Sequence, residues 1–347
     1  MEKFRQFADE STGINPYIPI WGQTKTSILR KIIGFPILIT RSIILSICLI
    51  MFTIFSMVIE LMYLEHLRII FFSIFLNGLS RVILLCFGCI WISENLDKNT
   101  KLSSSNDEKK SKTTRKVIYV NRQGFCDIFV CSSILGDPEY LFMDNSGIYL
   151  ASNSFYALLF SIGLKKNIRG GISFITSSNK LKSIYNNSLR PLIVFMEEVN
   201  TNGTCILEWT KMEKIPDTSE MRDLFSENSE SIVIQYKLER SLYGPQFTTG
   251  DFINHLINML SKITHFKIDL RIISSQVMKN RISRKNDDKN SNISLKDLQK
   301  KRRIDDLLTN IQNIQGKSCN LPIVTSGAEE AQGFIEYWEK TNKGKSI

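Results

Sequence analysis

VIYVNRQGFCDIF, residues Val117–Phe129, decides how the rest of the chain is read. Its first four residues are β-branched or aromatic, the composition of a short strand. The chain then passes through Asn121, Arg122, Gln123 and Gly124, types that favour a turn or interrupt a strand. A single acid, Asp127, opens an apolar run to Leu135 that reads as a short helix. A strand, a polar turn and one acid at a helix start have the form of an active-site turn.

The same alternation continues to about residue 275. Strands are predicted over Tyr140–Met143, Pro191–Met196, Ile232–Leu238 and His265–Ile272, the last closing the sheet. Helices are predicted over Asp127–Leu135, Ser154–Leu164, Ser178–Ser188 and Thr249–Leu260. Strands alternating with helices imply an α/β domain, its largely parallel sheet covered on both faces.

Upstream, the pattern changes. Residues 1–27 are mixed and carry Pro16 and Pro19. From Ser42 to Ile59 no residue is charged, a stretch of about 27 Å as a helix, close to a hydrocarbon core. It lies too far in, runs too long and lacks the small-residue site of a cleaved signal peptide. A second apolar run, Ile69–Ile92, contains Arg81. It reads as an interfacial helix followed by a short strand, Phe87–Ser93, in preference to a second span or a re-entrant segment, because Arg at mid-bilayer is costly. Basic residues flank the pair of runs on the outside, so residues 28–95 read as a membrane hairpin or interfacial helices with both ends facing the cytosol. Residues 96–116 are a basic, flexible linker. It is polar enough to stay disordered and positive enough to lie on anionic lipid.

Beyond residue 275 lies a basic, partly helical extension, 276–347. Leu298, Ile304, Leu307, Leu308, Ile311 and Ile314 form a helical stripe ending near Gly316, expected to pack on the domain.

The 347 residues carry a formal charge of +10, which favours anionic partners. Nucleic acid is a poor fit, because no aromatic–basic motif accompanies the charge and membrane-flanking runs account for it. Seven cysteines show no disulfide framework, and the short Cys86/Cys89 pair has no second Cys/His pair, so no metal site is expected.

A second polar turn follows the strand at Pro191–Met196: Glu197, Glu198, Val199, Asn200, Thr201, Asn202 and Gly203, then Ile206–Trp209. With the first turn some 70 residues earlier, this arrangement resembles the PlsC-like glycerolipid acyltransferases. That family has Asn-His-x-Ser-x-x-Asp after one strand and Phe-Pro-Glu-Gly-Thr-Arg-Ser after a later one. The opening Met1-Glu-Lys-Phe, the segment Thr12–Pro19 and Thr201–Gly203 look most like the fungal lipid-droplet lysophosphatidic acid acyltransferases.

The resemblance implies a PlsC-like α/β domain over 117–275 and a transfer of acyl chains from acyl-CoA to a lysophospholipid. Acyl-CoA would be a co-substrate, with no bound cofactor. It also implies residence on the endoplasmic reticulum membrane and lipid droplet, with the domain in the cytosol. Asn121 and Asp127 match the first motif, and Glu197 matches the Glu of the second. Arg122 stands where the family has its catalytic His, Gly124 where it has Ser, Glu198 where it has Gly, and Val199 where it has Thr. Asn121, Arg122 and Asp127 are therefore the catalytic candidates. Glu197, Asn200, Thr201, Gly203 and Arg169 are the substrate-binding ones. Arg122 cannot act as a base, because its pKa lies above about 12. It is left to pair with Asp127 or to bind a phosphate. Cys126 is weighed as a nucleophile against a small buried side chain. Asn200–Gly203 could cradle an anion through main-chain N–H groups. The other class of function is a lipid- or acyl-CoA-binding scaffold on the same fold, without turnover.

Overall fold

The computed structural model describes residues 2–19, 28–60, 65–96, 115–136, 138–164, 168, 171–175, 180, 183, 185, 188, 190–209, 229–238, 243–262, 266–274 and 296–342. Most of the 96–116 linker, most of the expected helix Ser178–Ser188, Arg169 and His265 lie outside them.

The chain opens with a 3-10 turn, Glu2–Phe7, then two long helices, α1 (Ile28–Glu60) and α2 (Glu65–Cys86). The sheet elements follow: β1 (Cys89–Leu96), β2 (Val117–Val120), α3 (Cys126–Leu135), β3 (Glu139–Asp144), β4 (Gly147–Ala151), α4 (Ser154–Ser161), β5 (Ile172–Ile175) and β6 (Leu192–Phe195). Then come β7 (Ile206–Leu207), β8 (Ser229–Lys237), α5 (Phe252–Ser261), β9 (Phe266–Ile273), α6 (Lys296–Cys319), β10 (Ile323–Val324) and α7 (Ala328–Asn342).

Eight strands form one sheet in the order β1-β9-β8-β2-β6-β3-β4-β5. The four central strands, β8, β2, β6 and β3, are mutually parallel, and β9, β4 and β5 join through antiparallel pairings. The central strands are apolar on both sides because both faces are covered. Ile118 and Val120 of β2 face a layer built from α1 to α5, with Phe52, Leu84, Phe129 and Phe160. Val117 and Tyr119 face the other way, onto Trp209 and Leu308, Ile311 and Ile314 of α6. Alternation with a period of two thus sorts one strand into two cores.

Two expectations change. The sheet does not begin at residue 117: β1, expected within the membrane segment 28–95, pairs in parallel with β9 and forms an edge. The strand predicted over His265–Ile272 therefore does not close the sheet, and it runs antiparallel to β8. The helix and short strand expected in the second apolar run are α2 and β1, and Arg81 lies within α2. It sits on an exposed face, where a straight-chain residue suits a helix. Of the C-terminal stripe, Leu308, Ile311 and Ile314 pack on the domain, as expected. Its helix runs past Gly316 to Cys319, and glycine at 316 leaves room for the Leu321 carbonyl, which a Cβ there would meet at 2.9 Å.

α1 lies along the helical layer. A Cβ on Gly34 would stand 2.7 Å from the Ser261 carbonyl, and Arg41 Nη1 donates to the Lys262 carbonyl (3.0 Å). Leu45, Cys48 and Phe52 face inward, while Ile39, Ile43, Ile47, Ile50 and Ile54 face out. Ile32–Val58 is long and apolar enough to cross a membrane.

Candidate active site

The connection leaving β2 goes to β3 on one side, and the chain leaving β6 returns to β8 on the other. The neighbours β2 and β6 therefore bracket a switch point, and the crevice outside their carboxyl ends is where α/β sheets bind ligands. Both motif turns lie there.

In the first turn, Asn121 bonds like a backbone unit. Its Oδ1 accepts from Ile234 N (2.8 Å) and its Nδ2 donates to Ile234 O (3.1 Å), tying the end of β2 to β8. Asp127, 1% exposed, takes the N–H groups of Gln123 (2.6 Å) and Gly124 (2.8 Å) on Oδ2. Its Oδ1 accepts the hydroxyl of Tyr236 (2.6 Å). Burial pushes Asp127 up to about 6, against the pull of those three donors.

Glu197, fully buried, links the two turns. It accepts from Leu207 N on Oε1 (2.9 Å) and from Arg122 N on Oε2. Thr201 then donates its N–H (3.0 Å) and its hydroxyl (3.2 Å) to the Arg122 carbonyl. The main chain of Arg122 is thus held on both sides by the second turn. Burial pushes Glu197 up to about 8, the two N–H bonds opposing.

Arg122 forms no ion pair with Asp127, although the sequence allows one. Its guanidinium, in a residue 6% exposed, lies over the rings of Phe142 (5.4 Å) and Phe160 (5.9 Å). Nη1 donates to the Glu198 carbonyl (3.1 Å), and Nε has no hydrogen-bond partner. Burial lowers its pKa, while the fields of Asp144, Asp127 and Glu197 oppose that shift.

Asn200 Nδ2 donates to the Phe247 carbonyl (3.0 Å), and Phe247 N donates to the Gln123 carbonyl (3.0 Å), so the loop before α5 buttresses both turns. Gly203 has φ +79, and a Cβ there would stand 2.4 Å from Gln123 Oε1. Two of the four N–H groups of the expected main-chain anion cradle at Asn200–Gly203 are already engaged. Thr201 N is spent on Arg122 and Asn202 N on the Pro16 carbonyl (2.8 Å). Cys126 is fully buried, and burial drives its thiol pKa well up, so the small buried side chain is the better description. His255 packs its ring on Tyr243, Phe247 and Phe125 and shares a 2.9 Å hydrogen bond with the Tyr243 hydroxyl. Burial lowers it to about 4, and it makes no bond to Asp127.

The turns therefore hold no group arranged to take a proton from an acceptor hydroxyl. They hold a rigid bracket around a buried cation. Tyr236 is the participant that the motifs do not include, and Asn202, expected only as part of a main-chain cradle, acts through its side chain. The alternation Ile232, Ile234, Tyr236 places the tyrosine on the buried face, but the partner of its hydroxyl is a tertiary fact.

No family model and no curated protein matches the chain. Among solved structures, the chain is similar to the crystal structure of the 1-acyl-sn-glycerophosphate (LPA) acyltransferase PlsC from Thermotoga maritima. The TM-score is 0.42 and the identity 10%, covering 82% of this chain and 98% of that one.

Proposed function

We propose that the protein is a membrane-bound acyltransferase that moves a fatty acyl chain from acyl-CoA to lysophosphatidic acid or a related lysolipid. One observation carries the proposal: the two motif turns are locked together through the main chain of Arg122, at the switch point of the sheet. In this reading the acceptor hydroxyl attacks the thioester carbonyl. An O–C bond forms, the C–S bond breaks, and the departing CoA thiolate ends with the hydroxyl's proton. No side chain in the turns relays that proton. The rate comes from alignment and from electrostatics in a water-poor crevice.

Arg122 supplies the positive charge for the acceptor's phosphate. Asp127, Asn121 and Glu197 position the turn that carries it. Asn200, Thr201 and Gly203 shape the opposite wall, and Arg169 is kept as a further phosphate ligand on the resemblance alone. The outward isoleucines of α1, with Phe71, Ile74 and Phe75 of α2, give the domain an apolar face suited to a bilayer. The endoplasmic reticulum and lipid droplet, with the crevice on the cytosolic side, are the locations this lipid chemistry favours.

A second reading has its own support. Both oxygens of Asp127 are filled by the turn and by Tyr236, so the acid has no free edge to orient a base. The protein would then bind acyl-CoA or lysolipid as a membrane scaffold. Labelled oleoyl-CoA and a panel of lysolipids, given to detergent-solubilised protein, separate the two. Turnover confined to phosphate-bearing acceptors and lost in Arg122→Ala supports the enzyme. A folded protein that binds acyl-CoA without turnover supports the scaffold.

A further inference from the structure

Four consecutive main-chain carbonyls near the N-terminus all accept hydrogen bonds from the loops that form the crevice. Asn202 Nδ2 donates to Asn15 O (3.1 Å) and Ile18 O (3.0 Å), and Asn202 N donates to Pro16 O (2.8 Å). The Thr248 hydroxyl donates to Tyr17 O (2.8 Å). Asn202 is itself saturated, because its Oδ1 accepts from the N–H and the hydroxyl of Thr204 (3.1 and 2.6 Å). A stretch of chain used in this way is a strap across two loops.

The strap is anchored on α7 and the loop before it. The Tyr17 ring is buried against Phe334, and its hydroxyl donates to Gly327 O (2.8 Å). Asp9 accepts from Thr325 N (3.2 Å) and from its hydroxyl (2.9 Å). Phe4 and Phe7 pack their rings on Phe334 and Tyr337 of α7. On the other side of the turn, β10 pairs with β7 directly after Thr204 and Cys205. The second turn is therefore gripped by both ends of the chain, and Asn202 is where the grip reaches it.

We propose that Asn202, and the strap Asn15–Ile18 that holds it, are positioning elements for the acceptor end of the site. They fix the conformation of Asn200–Gly203, and through Thr201 they fix the main chain of Arg122. The identity of the ligand rests on the acyl-transfer reading; the mechanical claim does not.

The test uses the full chain in detergent with Asn202→Ala, Tyr17→Ala and the milder Tyr17→Phe, which keeps the ring and loses the hydroxyl. Lys116→Ala, at the opposite end of β2, is the control. Amide exchange by mass spectrometry is read over the turn and over β2 and β6. Michaelis constants are read for lysophosphatidic acid and for oleoyl-CoA. Asn202→Ala and Tyr17→Ala should speed exchange in the turn about tenfold, with β2 and β6 as protected as in the control. The constant for lysophosphatidic acid should rise about tenfold more than that for oleoyl-CoA. Tyr17→Phe should fall between. Unchanged exchange in the turn, or equal loosening of β2 and β6, overturns the proposal. So does a matching rise in both constants. If the wild-type protein turns over no substrate, the acyl-transfer reading fails, and the exchange comparison alone decides the strap.

Discussion

In the first turn, Asp127 accepts from Gln123 and Gly124, four and three residues behind it. In the second, Glu197 accepts from Arg122, 75 residues upstream, and from Leu207, and its neighbour Asn202 reaches Asn15 and Ile18. One acid closes its own turn through Oδ2 and takes a single distant partner, the Tyr236 hydroxyl, on Oδ1; the other takes both of its partners from outside its own turn. Bonds that close a turn on itself can be read locally. A turn made of long-range bonds depends on every segment that supplies one.

Removing the long-range acid gives the largest expected effect. Glu197→Ala orphans the N–H groups of Arg122 and Leu207 in a dry interior, at about 1–3 kcal/mol each. The thermal midpoint in detergent should drop sharply, with a loss on the order of 4 kcal/mol. Glu197→Gln is the milder form. Each oxygen of Glu197 accepts a separate N–H, so the amide nitrogen of Gln must face one of them donor to donor. A loss of about 2 kcal/mol is expected. A midpoint equal to wild type in Glu197→Gln would break the claim that both bonds matter.

Proton linkage tests the same carboxyl without changing the fold. Its ordinary value is 4.5 and its folded value about 8. Between these the native state holds a proton that the unfolded chain has released. Stability therefore falls as pH rises, because the unfolded state binds fewer protons. The part contributed by the bound proton is present in full near pH 4.5 and is lost as pH passes through 8. His255, pushed down to about 4, acts in the opposite direction, but only up to its ordinary 6.5. The interval from pH 7 to 8 isolates Glu197, with a decline of about 1 kcal/mol. Stability of Glu197→Gln should be flatter over that interval. Equal slopes for variant and wild type would mean that Glu197 is ionised throughout.

The contrast between the turns also explains what the sequence discloses. The run Val117–Val120 and the alternation in β8 are local patterns, and they place the central strands correctly. Asn121, Asp127 and Glu197 stand at strand ends and a helix start, so their presence at the crevice is legible too. Their bonding is not. Arg122 lies over Phe142 and Phe160 instead of beside Asp127 because β3 and α4 bring those rings there. β1 reads as a short strand at the tail of an apolar run, and only its pairing with β9, some 170 residues later, makes it a sheet edge. Nothing near Asn202 in sequence signals that its partners are Asn15 and Ile18.

Asp127→Asn gives the smallest expected effect and the sharpest view of the first turn. Both N–H donors converge on one oxygen, Oδ2, so the amide can keep its carbonyl oxygen there and lose neither bond. Its nitrogen then faces the Tyr236 hydroxyl, which can rotate to accept instead of donate. Stability should change by less than about 1 kcal/mol, well below the cost of Glu197→Gln. The variant removes the negative charge near Arg122 and leaves the geometry of the turn alone. Acyl transfer that persists would make Asp127 a scaffold for the turn. Transfer that falls a hundredfold or so, with the protein as stable as wild type, would mean the charge itself acts on the reaction, and the self-closed turn would then be more than a support.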